Sequence, residues 1–459
     1  MPILKITGIV FCILMAGCMS SHRDMRDYYT PPVYEDLKSP SITSGKNTFR
    51  EQITPQEETK RAEEIAGKKE WDLRDCINLS LINEEQLKIK GEAYYQTKWL
   101  YQQALATWFP SLSLESSKTT YDPSAPAKYD YWLKIRQPIF NAGREFIGIA
   151  NSKELGELRK YELKQNRDIL ILAVADAFYQ TLGFRNELEA METLREYTEN
   201  YLVMVKARED ARIGKRKDTL LAEAALFDIK ARIARTTSLM NSARLNLQIL
   251  VGVPLTQNFV DTLLVSEMPA YSNEAISKAL DNRAEIKIAE QQIKLAEAEV
   301  DLAMANYLPQ ANLDWNRYLQ SKNSSNENID WTLLLTISLP IDNGGKYARL
   351  KETHSKLRQA ILAKEKAVKI VQNDVQKSYQ DLQSFKSDIE AREKGLAAAK
   401  ETADIVLEEY KLGLSTSVEV LFTKNIYEQA KVSLEKSKID LKMSYLKLKF
   451  AMGLLPEEF

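Results

Sequence analysis

Few side chains in this sequence have the types and spacing that catalysis or metal binding requires. The chain has two histidines and three cysteines among 459 residues, too few ligands or partners for a histidine-rich metal centre or a disulfide framework. His22 lies in a polar stretch and His354 in a charged helical pattern. The sequence has no glycine-rich phosphate loop and no nucleophile elbow. We therefore predict no catalytic residue, no metal site, no cofactor and no enzymatic activity.

Cys18 is the residue with the clearest expected chemistry. Lys5 precedes an apolar run over residues 6–16, which is too short for a permanent membrane helix and is typical of an export signal. The run ends in Leu14-Met15-Ala16-Gly17-Cys18, which is similar to the bacterial lipobox. This similarity implies that residues 1–17 are removed and that Cys18 carries a diacylglycerol and an N-acyl chain such as palmitate. An ordinary signal peptide with a chance cysteine is the alternative.

Charge and composition narrow the possible partners. The chain has 63 basic and 64 acidic residues and a formal net charge of -1, so bulk charge gives no reason to expect a nucleic-acid partner. Residues 18–70 are largely polar and contain several prolines, a composition that predicts a lipidated tether. No later segment has 18 consecutive apolar residues, so any later membrane insertion must use strands.

Three pairs of motifs, each about 200 residues apart, indicate an internal duplication. The pairs are Phe109-Pro110 with Leu308-Pro309, residues 137–144 with residues 339–346, and Arg212-Ile213-Gly214 with Lys411-Leu412-Gly413. We assign the first repeat to residues 71–254, a linker to residues 255–271 and the second repeat to residues 272–459. Each repeat is predicted to contain a helix, two short strands and then a long helical hairpin.

The predicted hairpins are unusually long. No proline occurs between Pro138 and Pro254 or between Pro340 and Pro456, and a helix interior excludes proline. An arm from Gly143 to Arg212 would be about 100 Å long. In the second hairpin an apolar residue recurs every seven positions, as in a coiled coil, at Val420, Tyr427, Leu434, Leu441 and Leu448. A solvated coiled-coil rod would explain these arms equally well.

The strands favour a membrane function over a rod. Trp331, Leu333, Leu335 and Ile337 alternate with polar residues, interrupted only by Leu334. Such segments are typical of a transmembrane β-barrel with a wet lumen, so these four residues are predicted to face lipid. Four strands cannot close a barrel alone, which predicts that several chains pool their strands. A half-buried soluble sheet is the alternative.

The order of these features resembles the TolC-like outer-membrane efflux proteins, particularly their lipoprotein branch, over roughly Trp71 to the end. The resemblance implies a mainly α fold with a small β part. It also implies a homotrimer in which each chain gives four strands to a 12-stranded transmembrane β-barrel and long helices to a periplasmic α-helical barrel.

Function, location and partners follow from the same resemblance. The chain would be a passive efflux or type I secretion duct in the outer-membrane lipid of a Gram-negative-type bacterium. An inner-membrane transporter would be coupled to it through a periplasmic adaptor, also called a membrane fusion protein. A lipid-anchored periplasmic coiled-coil bridge or adaptor without a pore is the alternative, but it does not explain two matched strand pairs.

The resemblance also implies site residues at the hairpin ends. The turns expected to dock the adaptor contain Ile213, Gly214, Lys215, Leu412, Gly413, Leu414 and Ser415. The residues expected at the periplasmic gate are Thr219, Tyr410 and Glu419. A solvated hairpin end is the alternative for the basic first turn. A packing tyrosine and a solvated helix glutamate are the alternatives for Tyr410 and Glu419.

Overall fold

A computed structural model describes residue 65 and residues 67–119, 128–255, 257–265, 272–320, 330–341 and 344–455. The predicted export signal, the predicted lipidation site Cys18 and most of the predicted tether lie outside these residues. The described residues from Lys68 onward belong to one structural unit. Among the described residues, no helix combines the length and apolar character that crossing a membrane requires.

The described chain contains two copies of one unit. The first consists of β1 (Glu70–Trp71), α1 (Leu73–Asn83), α2 (Glu85–Ala106), β2 (Ser111–Thr119), β3 (Lys128–Phe140), α3 (Arg144–Asp210) and α4 (Arg216–Val251). After β4 (Asn258–Phe259), the second consists of α5 (Ser272–Asn282), α6 (Ala284–Ala305), β5 (Gln310–Gln320), β6 (Trp331–Ser338), α7 (Gly345–Lys411) and α8 (Ser417–Ala451). The predicted mainly α fold with a duplicated unit is confirmed.

The long helices match the predicted hairpin arms. Helices α3 and α7 have 67 residues each, which corresponds to about 100 Å of helix. The predicted seven-residue seam on α8 faces other helices, because Val420, Leu434 and Leu448 are buried and Tyr427 and Leu441 are half-buried. Helix α3 packs against α2, α4, α6 and α8, whereas α7 packs against α5, α6 and α8.

Four strands, two from each repeat, form one antiparallel sheet in the order β2-β3-β5-β6. Residues directly opposite each other on neighbouring strands share a face. Leu112 is opposite Ile135, Ile135 is opposite Trp315, and Trp315 is opposite Leu333. One face of the sheet is therefore an apolar stripe that crosses all four strands.

The other face of the same sheet is polar. On this face Arg136 Nε contacts Asp314 Oδ1 at 2.7 Å, Lys134 contacts Glu115 at 3.4 Å, and Asn316 donates a 3.2 Å hydrogen bond to Thr332. Leu334 is opposite Asp314 and so lies on this polar face, while Leu335 is opposite Leu313 on the apolar face. The predicted alternation is thus present in three dimensions.

A small core joins the repeats near the middle of the long helices. Strands β1 and β4 pair in parallel, which places Trp71 beside Phe259. Phe259 also packs edge-on against Phe178 of α3, with ring centroids 5.6 Å apart. Asp261, just after β4, accepts a 3.2 Å hydrogen bond from the Tyr179 hydroxyl and contacts Lys442 at 2.7 Å. The linker is therefore attached to both α3 and α8.

Each repeat also closes on itself at this level. In the first repeat, Asn83 at the end of α1 donates a 2.9 Å hydrogen bond to the Val251 carbonyl at the end of α4. In the second, Arg283, which follows α5, donates a 3.0 Å hydrogen bond to the Phe450 carbonyl near the end of α8. The beginning of each copy thus meets its own last helix.

Candidate functional site

The candidate site lies at the two ends where the long helices turn back. We define the first hairpin tip as residues 204–220 and the second hairpin tip as residues 405–421. The equally long helices α3 and α7 begin at Arg144 and Gly345, 201 positions apart. This spacing places each residue of the first tip in register with one of the second.

The second hairpin tip is a tight, self-capped turn. Gly413 follows α7 in the left-handed conformation, with φ 80°, where glycine meets no steric penalty. Thr416 and Glu419 then form a capping box at the start of α8. Glu419 Oε2 accepts hydrogen bonds from Ser415 Oγ at 2.6 Å and from the Thr416 amide at 2.7 Å. These hydrogen bonds, that from Ser415 foremost, lower the pKa of Glu419.

The first hairpin tip reaches the same backbone shape with different residues. Arg212 takes the left-handed conformation at φ 61° in the place of Gly413, so the sequence pairing of Gly214 with Gly413 is wrong. Gly214 instead allows two backbone segments to lie close together, because a Cβ at this position would lie 2.9 Å from the backbone of Arg208 and Glu209. Left-handed geometry is unfavourable for a residue with a side chain, so Arg212 is held in a strained conformation.

Thr219 supports the first tip from within. Its hydroxyl is buried and donates a 2.6 Å hydrogen bond to Glu209 Oε2, while Arg216 contacts Glu209 Oε1 at 3.1 Å. The hydrogen bond from Thr219, followed by that from Arg216, lowers the pKa of Glu209. Thr219 thus ties the start of α4 to the end of α3 through Glu209, whereas Glu419 caps the start of α8 through Ser415 and Thr416 alone.

Tyr410, in contrast, joins the two hairpins. Arg208 of α3 donates a 3.3 Å hydrogen bond to the Tyr410 carbonyl, and its guanidinium carbon lies 4.9 Å from the Tyr410 ring centroid. The Tyr201 hydroxyl donates a buried 2.7 Å hydrogen bond to Ser417 Oγ at the start of α8. Tyr201 and Tyr410 pack with ring centroids 5.7 Å apart, in an apolar cluster with Val205, Ala222 and Val420.

A second link between the hairpins lies one to two helical turns away from the tips. Lys424 of α8 forms a 2.8 Å ion pair with the buried carboxylate of Glu428. Its ammonium also lies 4.9 Å from the ring centroid of Tyr197 on α3 and 4.7 Å from that of Tyr427. The ring–cation contact with Tyr197 crosses from one hairpin to the other.

Sequence reasoning missed most of these linking residues. Tyr201 and Ser417 are 216 positions apart, and neither lies in a motif. One signal was present in the sequence, namely that the two long arms have equal length. Aligning the arms with an offset of 201 residues would have shown that Arg212 corresponds to Gly413 and Glu209 to Tyr410. No local pattern could have shown that α3 and α8 are neighbours.

Comparison with known proteins identifies the fold and its family. The family model described as "Outer membrane efflux protein" matches residues 94–253 and 275–454, which together include both helical hairpins and all four strands of the two-faced sheet. The chain belongs to this outer membrane efflux protein family. It is accordingly a channel-family protein rather than an enzyme, and its predicted kinship with TolC-like proteins is confirmed.

Individual relatives of this outer membrane efflux protein agree with the assignment. It is 25% identical to outer membrane protein TolC of Vibrio cholerae over 302 residues, covering 63% of this chain and 68% of that protein. It is 22% identical to outer membrane efflux protein BepC of Brucella suis over 325 residues, covering 70% and 71%. The crystal structure of the Campylobacter jejuni CmeC outer membrane channel superimposes with a TM-score of 0.74 at 14% identity, covering 91% and 94%.

Proposed function

We propose that this outer membrane efflux protein is the exit duct of a tripartite efflux or type I secretion system. It would lead passively from the periplasm to the exterior and receive its cargo from an inner-membrane transporter through a periplasmic adaptor. The observation that carries the proposal is the four-stranded sheet, whose apolar face lies opposite a face of ion pairs and amides. A β-barrel wall that separates lipid from a wet lumen requires this arrangement of one apolar and one polar face.

The edges of that sheet call for strands from further chains, and we propose the homotrimer that the TolC-like resemblance implies. Strands β2 and β6 are its outer members, and unpaired strand edges are not tolerated in hydrocarbon. Three chains would supply twelve strands and close the barrel, with Trp331, Leu333, Leu335 and Ile337 turned to outer-membrane lipid. Exposed apolar side chains on α4 and α7 would be covered by the neighbouring chains, among them Leu239, Leu245, Ile249, Leu362 and Ile370.

The hairpin tips are the proposed adaptor contacts and periplasmic gate. Ile213, Leu412 and Leu414 are more than 70% exposed, at 72%, 76% and 77%, which is unusual for apolar side chains that remain in water. They project from the turns that contain Gly214, Lys215, Gly413 and Ser415. Tyr410, with Thr219 and Glu419 fastening the two helix starts, would hold the hairpins together when the duct is closed.

Cys18 is the proposed lipid attachment site. A diacylglycerol on its sulfur and an N-acyl chain, such as palmitate, would together anchor the mature N-terminus in the outer membrane. Two or more acyl chains suffice for stable anchoring, whereas one gives only marginal binding. The anchor would thus hold the chain at the membrane independently of its strands.

Electron microscopy of the detergent-extracted mature protein, combined with planar-bilayer conductance, tests the duct. We expect threefold hollow cylinders longer than about 100 Å, consistent with the length of α3, and discrete conductance steps. Solid rods without conductance would contradict the duct and support a periplasmic coiled-coil bridge instead.

A further inference from the structure

The two hairpin tips have the same backbone shape and opposite charge. The first tip, residues 204–220, contains six basic and three acidic residues. The second tip, residues 405–421, contains one basic and three acidic residues. The internal duplication has therefore produced two turns of similar shape that would attract different surfaces.

The excess charge of the first tip is available to a partner. Arg216 is paired with Glu209 at 3.1 Å and Lys206 with Glu223 at 2.8 Å. Arg212, Lys215 and Lys217 are exposed, and no ion pair neutralises them within the described residues. Arg212 also increases the charge difference between the tips, because it occupies, in a strained left-handed conformation, the place that Gly413 has in the second tip.

An apolar residue at the centre of these cations indicates what kind of partner would fit. Ile213 is 72% exposed between Arg212 and the lysines. A simple anion would satisfy the cations and leave Ile213 in water, whereas a protein surface can cover the apolar side chain and pair with the cations at its rim. This is the usual anatomy of a protein interface.

We propose that the first hairpin tip docks a carboxylate-rich segment of the periplasmic adaptor, and that the second tip docks the same partner mainly through Leu412 and Leu414. The proposal rests on the proposed function, because it names the partner chemistry of one of the two docking turns. Opposite charges on alternate tips would fix the partner in one register, since a shift by one tip would bring its carboxylates to the acidic tip.

Two synthetic helical-hairpin peptides serve as the probes. They are identical except at four residues around the turn, all Glu in one and all Lys in the other. Binding is measured to the full lipidated chain in nanodiscs by surface plasmon resonance. We expect the Glu peptide to bind about tenfold more tightly at 0.1 M salt and to lose most of this advantage at 1 M salt, where the screening length falls to about 3 Å.

Charge reversal locates the effect. Lys215→Glu with Lys217→Glu should reverse the preference between the two peptides. Lys394→Glu with Lys400→Glu makes the same charge change at exposed positions of α7 and should leave the preference unchanged. Equal binding of both peptides to the unaltered protein would overturn the proposal, and this result does not depend on the folding of any variant. A preference that survives charge reversal at the first tip would overturn it as well.

The result is separable from that of the duct experiment. Unaltered protein that conducts as a threefold cylinder but shows no peptide preference refutes only the charge-selective docking. Protein that forms solid rods without conductance refutes the duct itself, whatever the peptides do. A preference that is present, salt-dependent and reversed only by the tip variant supports the inference.

Discussion

The Tyr201 hydroxyl donates a 2.7 Å hydrogen bond to Ser417 Oγ, linking the tip-proximal end of α3 in the first hairpin to the start of α8 in the second. Both residues are buried, so the bond is shielded from water. With the 3.3 Å contact from Arg208 to the Tyr410 carbonyl, it forms a pair of ties beside the tips. Any movement that separates the hairpins must break both ties.

Tyr201→Phe should loosen the contact between the hairpins that is proposed to hold the duct closed. The substitution keeps the ring and leaves the buried Ser417 hydroxyl without its donor, a loss of about 1 kcal/mol. We expect more frequent channel openings in planar bilayers and a lower unfolding temperature. Tyr197→Phe is the matched control, because its ring can still contact Lys424. Equal opening frequencies in the Tyr201→Phe variant and the unaltered protein would show that this bond does not restrain the hairpins.

Two adjacent leucines test the orientation of the sheet. Leu335 lies on the apolar face and Leu334 on the polar face. Leu335→Arg should cost about 2 to 4 kcal/mol near the bilayer midplane and reduce the amount of protein in outer-membrane fractions. Leu334→Arg would face the wet side and should insert normally. Similar insertion of both variants would contradict a lipid-facing stripe.

Glu419 is expected to influence ion selectivity. Three copies at a narrow mouth would form a carboxylate ring that favours cations. Its lowered pKa keeps it charged at neutral pH, and the stabilisation from its capping bonds is lost as pH falls through that lowered pKa. Glu419→Gln should therefore shift the reversal potential in a KCl gradient toward lower cation preference. Glu401→Gln, at an exposed position of α7, is the control, and an unchanged potential for Glu419→Gln would exclude it from the mouth.

Asp168 should make stability depend on pH. Burial raises the pKa of the Asp168 carboxyl to about 6. The nearby charges have smaller effects: Lys164, Arg167 and Arg283 lower this pKa, and Glu285 raises it. The folded state thus keeps a proton that the unfolded state has lost, so stability declines as pH rises from about 4 to about 6.

Asp168→Asn removes this decline. We expect a gain of about 2 to 3 kcal/mol at pH 8 and almost none at pH 4, seen as a higher unfolding temperature at pH 8 alone. Asp301→Asn, at an exposed position of α6, should change neither value. A gain of the same size at both pH values would mean that packing, not ionisation, is responsible.

Two cysteines of the export signal region test lipidation. Cys18→Ala should abolish incorporation of labelled palmitate and release the chain from its lipid anchor. Cys12→Ala should still be labelled, because the proposed cleavage before Cys18 would remove residue 12. Palmitate labelling of the Cys18→Ala variant would assign the modification to another residue.

The sequence was informative wherever the deciding interactions are local. The alternation from Trp331 to Ile337 and the proline-free arms predicted the strands and helices, because strand faces and helix continuity depend on neighbouring residues. The ties at the tips could not be predicted, since Tyr201 and Ser417 meet only after α3 and α8 have packed. The similar triplets around Gly214 and Gly413 were misleading, because a left-handed backbone is compatible with Arg212 when the rest of the turn imposes it.

The closure of each repeat on its own last helix has a consequence for how the chain could be divided. The bonds from Asn83 to Val251 and from Arg283 to Phe450 each lie within one repeat, so a break between residues 265 and 272 severs neither. Each fragment would keep the hydrogen bond that joins its beginning to its own last helix, and strands β2, β3, β5 and β6 would remain intact. Two polypeptides made separately from the halves should therefore complement each other, and six half-chains could assemble the proposed trimer.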